Sequence, residues 1–220
     1  MLIPCRALAQ FGKPYQQWTG KQSKELLVNS PWAQTQTGLV WVEKFATPTP
    51  AADSTVTVRL YSALPLRQAL ARLKQLKNKY DGKSDRDKAA IDAQNRALLE
   101  CPACINYYMV TIGPGPDSRN VPQFPRTMSF AVVKLNIEIK NEKGETRELT
   151  NFVGPKFAGD EALFFFARFS SKGEPLVSPA NRTLTISFDR FIFRWAPAPA
   201  TRTKFEFDVA KMTVNGQVVF

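Results

Sequence analysis

Residues Leu98–Val110 read LLECPACINYYMV, and they mark the point where the chain changes from one periodicity to another. Upstream, the apolar residues recur at helical spacing. Downstream, INYYMVTI (105–112) has the length and the aromatic, β-branched content of a strand. Between the two lie Cys101 and Cys104, in a chain whose remaining cysteine is Cys5. Four uses of such a pair are open: a metal site, a haem anchor, a redox centre or a local disulfide. Zinc needs about four ligands, and with no histidine in the chain this pair would require carboxylates or a second chain to complete a site. Covalent haem attachment requires histidine directly after the second cysteine, where Ile105 stands. A thioredoxin-like centre puts its first cysteine after a strand and at a helix N-terminus, where the dipole lowers the thiol pKa. Here the order is reversed, because the pair follows a helix and precedes a strand. The preferred reading is a Cys101–Cys104 disulfide that fixes the turn between helix end and strand. Two free thiols are the alternative in a reducing compartment.

Working back from this junction, ALPLRQALARLKQLKNKY (63–80) places Leu66, Ala69, Leu70, Leu73 and Leu76 on one stripe. Asp81-Gly82-Lys83 breaks the pattern, and Ser84 is positioned to cap a second helix with Asp85 and Asp87 in its first turn. The expectation is a helical hairpin inserted over 63–100. Its basic residues Arg67, Arg72, Lys74, Lys77 and Lys79 are expected on the outer face. There they offer possible partner contacts to an anionic surface, although a plain solvated face is the preferred reading. Nearer the N-terminus, Thr19 caps a short helix that turns Leu26 and Leu27 to the core, and Asn29-Ser30-Pro31 stops it. Trp18 and Trp32 bracket that helix. They either anchor a partner or pin the helix to the core, the second being preferred.

The rest reads as β structure. GLVWVEKF (38–45) and TVTVRLYS (55–62) are strands, separated by TPTPAADS, which reads as a turn. After a Gly/Pro loop over 113–125, AVVKLNIEIKN (131–141) and TRELTNFV (146–153) form a hairpin around residues 142–145, with Leu135, Ile137 and Ile139 on one face. ALFFFARF (162–169) is expected to pair with TLTISFD (183–189). FIFRW (191–195), KFEFDVAKMTV (204–214) and QVVF (217–220) complete the set, the last two joined at Asn215-Gly216. The fold class expected is mainly β with a helical insertion: an antiparallel β-sandwich or barrel-like sheet plus an α-hairpin, with an α+β open sheet as the alternative.

Composition narrows the chemistry. The chain has 220 residues, 44% of them hydrophobic, enough for a core in one domain. It contains no apolar run long enough to span a membrane as a helix. The missing histidine removes the usual general base at neutral pH and the histidine-assisted nucleophiles. No spacing singles out a carboxylate, lysine or tyrosine set, so no catalytic residue, metal or other cofactor is assigned. The net charge of +11 suits an anionic partner. Yet bases alternate with acids, as in VKLNIEIKNEKGETRELT (133–150), and no nucleic-acid motif accompanies them, so nucleic acid is not the expected partner. The clusters Phe164-Phe165-Phe166, Phe191/Phe193/Trp195 and Phe205/Phe207 are placed in the core by strand alternation rather than in a ligand pocket. Phe165 and Phe169 are left to face a partner or a second layer. Asn181-Arg182-Thr183 matches a glycosylation acceptor.

Ala7-Leu8-Ala9 followed by Gln10 matches a signal-peptidase site, so residues 1–9 are expected to be the remnant of a signal peptide whose start lies upstream, ahead of a single domain over 10–220. The pattern QWTGKQSKELLVNSPWAQTQ, with Trp18, Thr19, Gln22, Leu26, Leu27 and Ser30-Pro31-Trp32-Ala33, resembles a family of predicted secreted bacterial proteins of acidobacterial type that carry no assigned activity. VTVRLYSALPLRQAL looks like that family's strand entering its helix. The resemblance implies a secreted or envelope address and no chemistry. Together these features lead to an expected role as a non-enzymatic extracytoplasmic binding or structural module of the cell envelope, with an envelope protein or anionic surface as possible partner. The alternatives are a small-molecule-binding protein or carboxylate-based enzyme, and polyanion binding through the basic surface.

Overall fold

The computed structural model describes residues 12–44, 47–116, 128–157, 159–197, 202–214 and 217–219. Along the chain, α1 (Gly20–Leu26) leads into the long strands β1 (Ala33–Lys44) and β2 (Thr47–Leu60), followed by the hairpin helices α2 (Leu64–Lys77) and α3 (Asp85–Glu100) and then β3 (Tyr107–Pro114). The second half contains α4 (Phe130–Asn136), β4 (Ile137–Asn141), β5 (Thr146–Arg147), β6 (Leu149–Val153), β7 (Ala162–Ala167), β8 (Thr183–Asp189), α5 (Arg190–Phe193), β9 (Trp195–Ala196), β10 (Arg202–Asp208), β11 (Thr213–Val214) and β12 (Gln217–Val218). Two antiparallel sheets result, one ordered β6-β7-β3-β2-β1-β9 and the other β10-β8-β4-β5, beside a small β11-β12 ribbon. The expected antiparallel sheets with a helical hairpin are the architecture observed, and helix and strand take nearly equal shares.

Alternation decides which residues fill the space between the sheets. Val56, Val58 and Leu60 of β2, Tyr108, Val110 and Ile112 of β3, and Phe164 and Phe166 of β7 point to one core, which Ile186, Phe188, Phe205 and Phe207 enter from the other sheet. Aromatic rings join the layers. Phe193 of α5 has its ring centroid 6.3 Å from Phe164 of one sheet and 5.0 Å from Phe188 of the other. Phe188 and Phe205 stack at 6.0 Å. At the open edge of β10, the side-chain amide of Gln36 donates to the Lys204 carbonyl (2.8 Å) and that of Gln34 to the Glu206 carbonyl. Carbonyls that would otherwise template another strand are thereby satisfied.

The helices form where their caps allow. Thr19 and Gln22 make a reciprocal capping box on α1, and Ser84 accepts from the Asp87 N–H on α3, with Asp85 and Asp87 in the first turn. Leu26 and Leu27 are buried, as their spacing requires.

Several elements differ from the sequence reading. TPTPAADS is not a turn: it belongs to β2, and the connection to β1 falls at 45–46, outside the described residues. Pro48 and Pro50 are tolerated because β3 pairs only with Val56–Leu60, so their side of β2 has β1 alone as described neighbour. The segment expected as one strand over 131–141 is a helix to Asn136, with Ser129 accepting from the Val132 N–H. Leu135 therefore projects outward at 81% exposure, while Ile137 and Ile139 are buried. TRELTNFV does not simply return beside that strand, since β5 pairs with β4 whereas β6 joins β7 in the other sheet. β7 pairs with β3 and β6, not with β8, whose partners are β4 and β10. FIFRW opens as the single turn α5, ended by Arg194 in the left-handed region (φ 48°). The signal-peptide remnant with Cys5, most of the Gly/Pro loop and the Asn215-Gly216 dipeptide lie outside the described residues, though β11 and β12 pair on either side of that dipeptide.

Candidate functional site

Cys101 ends α3 in the left-handed region (φ 43°, ψ 69°), its N–H donating to the Ala97 carbonyl at 3.1 Å. A non-glycine residue there costs roughly 1–2 kcal/mol. Pro102 suits the first position of the following 3-10 turn, Pro102–Ile105, and the Cys104 N–H closes that turn on the Cys101 carbonyl at 2.8 Å. The Cys101–Cys104 disulfide clips it with the Cα atoms 5.4 Å apart. Both sulfurs lie 3.7 Å from Met109 Sδ and are buried. The clip thus seats the turn on the outer face of β3, the face that points away from the main core.

Around it that face is apolar and only partly covered. Tyr61, Tyr107, Leu163 and Phe165 are half-buried against the sulfur cluster, and Tyr107 meets Phe165 edge-on at 5.9 Å. Ile105 is 67% exposed. Leu163 lies opposite Thr111 across β3 and β7, and Thr111 lies opposite Arg59 across β3 and β2, so the shelf continues directly to a basic cleft. This cleft, of about 580 Å³, is lined by Lys21, Lys24 and Arg59 with Glu25 as the acid, over Leu27 and Val28. Arg59 Nε donates to the Leu27 carbonyl, and its guanidinium pairs with Glu161. Burial pulls the Arg59 pKa down while Glu161 resists that shift.

The other residues singled out in the sequence are placed differently. Trp18 and Trp32 are 2% and 0% exposed; they pin the N-terminal segment, with Trp32 Nε1 donating to the Val219 carbonyl at 2.8 Å. Arg67 and Arg72 do not occupy the outer face of the hairpin, being 5% and 4% exposed. Arg67 donates to the Leu98 and Leu99 carbonyls at the C-terminus of α3 and to Ser62 O, meeting carbonyls that the helix leaves unpaired. Arg72 grips Asp81 through two 2.8 Å bonds and the Trp18 carbonyl through a third, also 2.8 Å. Both arginines brace the hairpin. Lys74, Lys77 and Lys79 are exposed as expected, and none of them lines the cleft. Of the aromatic clusters, Phe164, Phe166, Phe193, Trp195, Phe205 and Phe207 are buried in the core, while Phe165 and Phe169 face out. Asn181 is 8% exposed and its amide donates to Glu142 at 3.2 Å, which leaves the glycosylation triplet inaccessible as it stands.

Among the described residues no group of three or more carboxylate or cysteine side chains is placed to hold a metal ion, and no helix is long and apolar enough to cross a membrane. Sequence reasoning missed Lys21, Lys24 and Arg59. Arg59 was legible as the charged position on the face opposite Val58 and Leu60, but its meeting with α1 was not. Comparisons with protein-family models, with curated proteins and with solved structures return no match.

Proposed function

We propose that the protein is a non-enzymatic binding module that works outside the cytoplasm and holds an acidic partner of the cell envelope on the outer face of its six-stranded sheet. The observation that carries this reading is the basic cleft of Lys21, Lys24 and Arg59 opening onto the shelf of Tyr61, Tyr107, Leu163 and Phe165. Charge there attracts an anionic group, and half-covered aromatic surface beside it supplies desolvation on docking. The disulfide supports the extracytoplasmic address, because thiols in the cytoplasm are kept reduced. The N-terminal resemblance to secreted proteins supports it too.

Heparin serves as a polyanion probe. The wild-type protein is expected to be retained and to elute with salt, and K21E/K24E is expected to elute earlier. The slope of log affinity against log salt should fall by about 1 for each cation removed. The triple variant K74E/K77E/K79E on the hairpin is the comparison. If it loses retention while K21E/K24E keeps it, the cleft is not the contact surface. Recovery of the folded protein only from the cytoplasm, with two free thiols at Cys101 and Cys104, would overturn the address.

A further inference from the structure

A second basic feature lies where β7 leaves the sheet. Arg168 follows β7 directly and is tied at both ends of its backbone, its N–H donating to the Asn106 carbonyl (2.8 Å) and its carbonyl accepting from the Leu176 N–H (3.2 Å). Its guanidinium carbon lies over the Tyr108 ring, 4.6 Å from the centroid. The Tyr108 hydroxyl accepts from the Val177 N–H at 3.2 Å, and Arg147 Nη2 donates to the Glu174 carbonyl at 2.9 Å. The stretch Glu174–Val177 therefore draws Arg147, Arg168 and Tyr108 to one place. Nε and Nη2 of Arg168 and Nε of Arg147 are buried without a hydrogen-bond partner, and no carboxylate pairs with either guanidinium among the described residues. Nε and Nη2 form the side-on edge of a guanidinium, two parallel N–H donors that match a pair of oxygens on one acid group. A guanidinium N–H covered from water is costly unless an acceptor answers it.

We propose that Arg168, with Arg147 on the same Glu174–Val177 stretch, binds a small oxyanion, a carboxylate or phosphoryl group accepted by the Nε/Nη2 edge. The site is distinct from the outer-face cleft, because Arg168 stacks on Tyr108, whose side chain belongs to the core face of β3.

Thermal unfolding of the full chain in inorganic phosphate, acetate and chloride at matched ionic strength tests this. R168K keeps the charge and removes the two-donor edge. The wild type is expected to gain about 5 °C or more over R168K at a concentration about a hundred times Kd. Phosphate also strengthens burial in any protein, which raises both forms alike, so the difference between them is the measure. A difference in phosphate alone assigns a phosphoryl ligand, and one in acetate alone a carboxylate. Equal responses of wild type and R168K in both anions overturn the site and leave the nitrogens to an ordered water. Should R168K not fold, calorimetric titration of wild type and of R147Q replaces it. Saturable heat with phosphate or acetate but not chloride, weakened in R147Q, supports the site, and no saturable heat in the wild type removes it.

Discussion

At the scale of single residues, the polar groups under the hairpin set two pH limits. The Tyr80 hydroxyl donates to Asp92 at 2.7 Å, and that bond, with some burial, pushes its pKa from 10.0 up to about 12. A raised pKa means stability that is complete below pH 10 and is lost as pH climbs toward 12. Urea unfolding across that window should show the wild type losing its advantage over Y80F, and parallel curves for the two would refute the coupling. Asp81 shifts the other way, its carboxyl held below the ordinary 3.8 by the Arg72 hydrogen bonds. Its contribution is present above that value and disappears as pH falls further. Because Asp81 is largely exposed, D81N should cost only about 1 kcal/mol or less at pH 7, and the two proteins should converge in acid. None of this was legible in the sequence. Helical spacing put Arg67 and Arg72 beside lysines and gave no sign that their guanidiniums would turn inward to carbonyls of Leu98, Leu99 and Trp18.

At the scale of elements, the hairpin depends on its ends. S84A removes the cap that serves the Asp87 N–H and should cost about 1 kcal/mol, read as a lower urea midpoint. The C101S/C104S variant opens a very short ring, and its cost should be on the order of 2 kcal/mol, or about 4–8 °C in Tm for a chain of this size. Unchanged unfolding on removal of the disulfide would show that the turn holds without it. Capping and helical period were readable because both are local: Thr19, Ser84 and the Leu66–Leu76 stripe act within a few residues of themselves. The segment after Ser129 misled for the same local reason. Val133, Leu135, Ile137 and Ile139 alternate like a strand, and β-branched valines favour one. In the fold a helix over Phe130–Asn136 lets Phe130 stack on Phe152 of β6 at 6.3 Å, a contact between residues 22 apart that no local pattern announces.

At the scale of the whole molecule, the sheets are fastened by β9. Trp195 lies against Gly38 of β1, and a methyl group at residue 38 would approach the indole to 2.6 Å and the Ala196 carbonyl to 2.7 Å. G38A is therefore expected to push β9 away and destabilise by about 1–3 kcal/mol, with a Tm fall to match. A variant as stable as wild type would mean that β9 shifts without cost to the core. The same closure explains why the sequence pattern does not specify the pairing. Alternation states which face of β7 and β8 is apolar, and both were placed correctly in the core. It does not state which strand lies beside which, and that choice follows from β6 crossing to the first sheet while β4 and β5 stay in the second.

The sequence by itself determined the antiparallel β framework, the helical insertion, the capped helix starts and the place of Cys101 and Cys104 at a helix-to-strand turn, because each rests on period, cap chemistry or short-range spacing. Only the tertiary structure decided the strand partners, the inward turn of Arg67 and Arg72, the outer-face cleft of Lys21, Lys24 and Arg59, and the placing of Arg147 and Arg168 against the stretch Glu174–Val177. Those depend on contacts between distant segments, where packing of the whole chain, not local preference, selects which polar groups share a place.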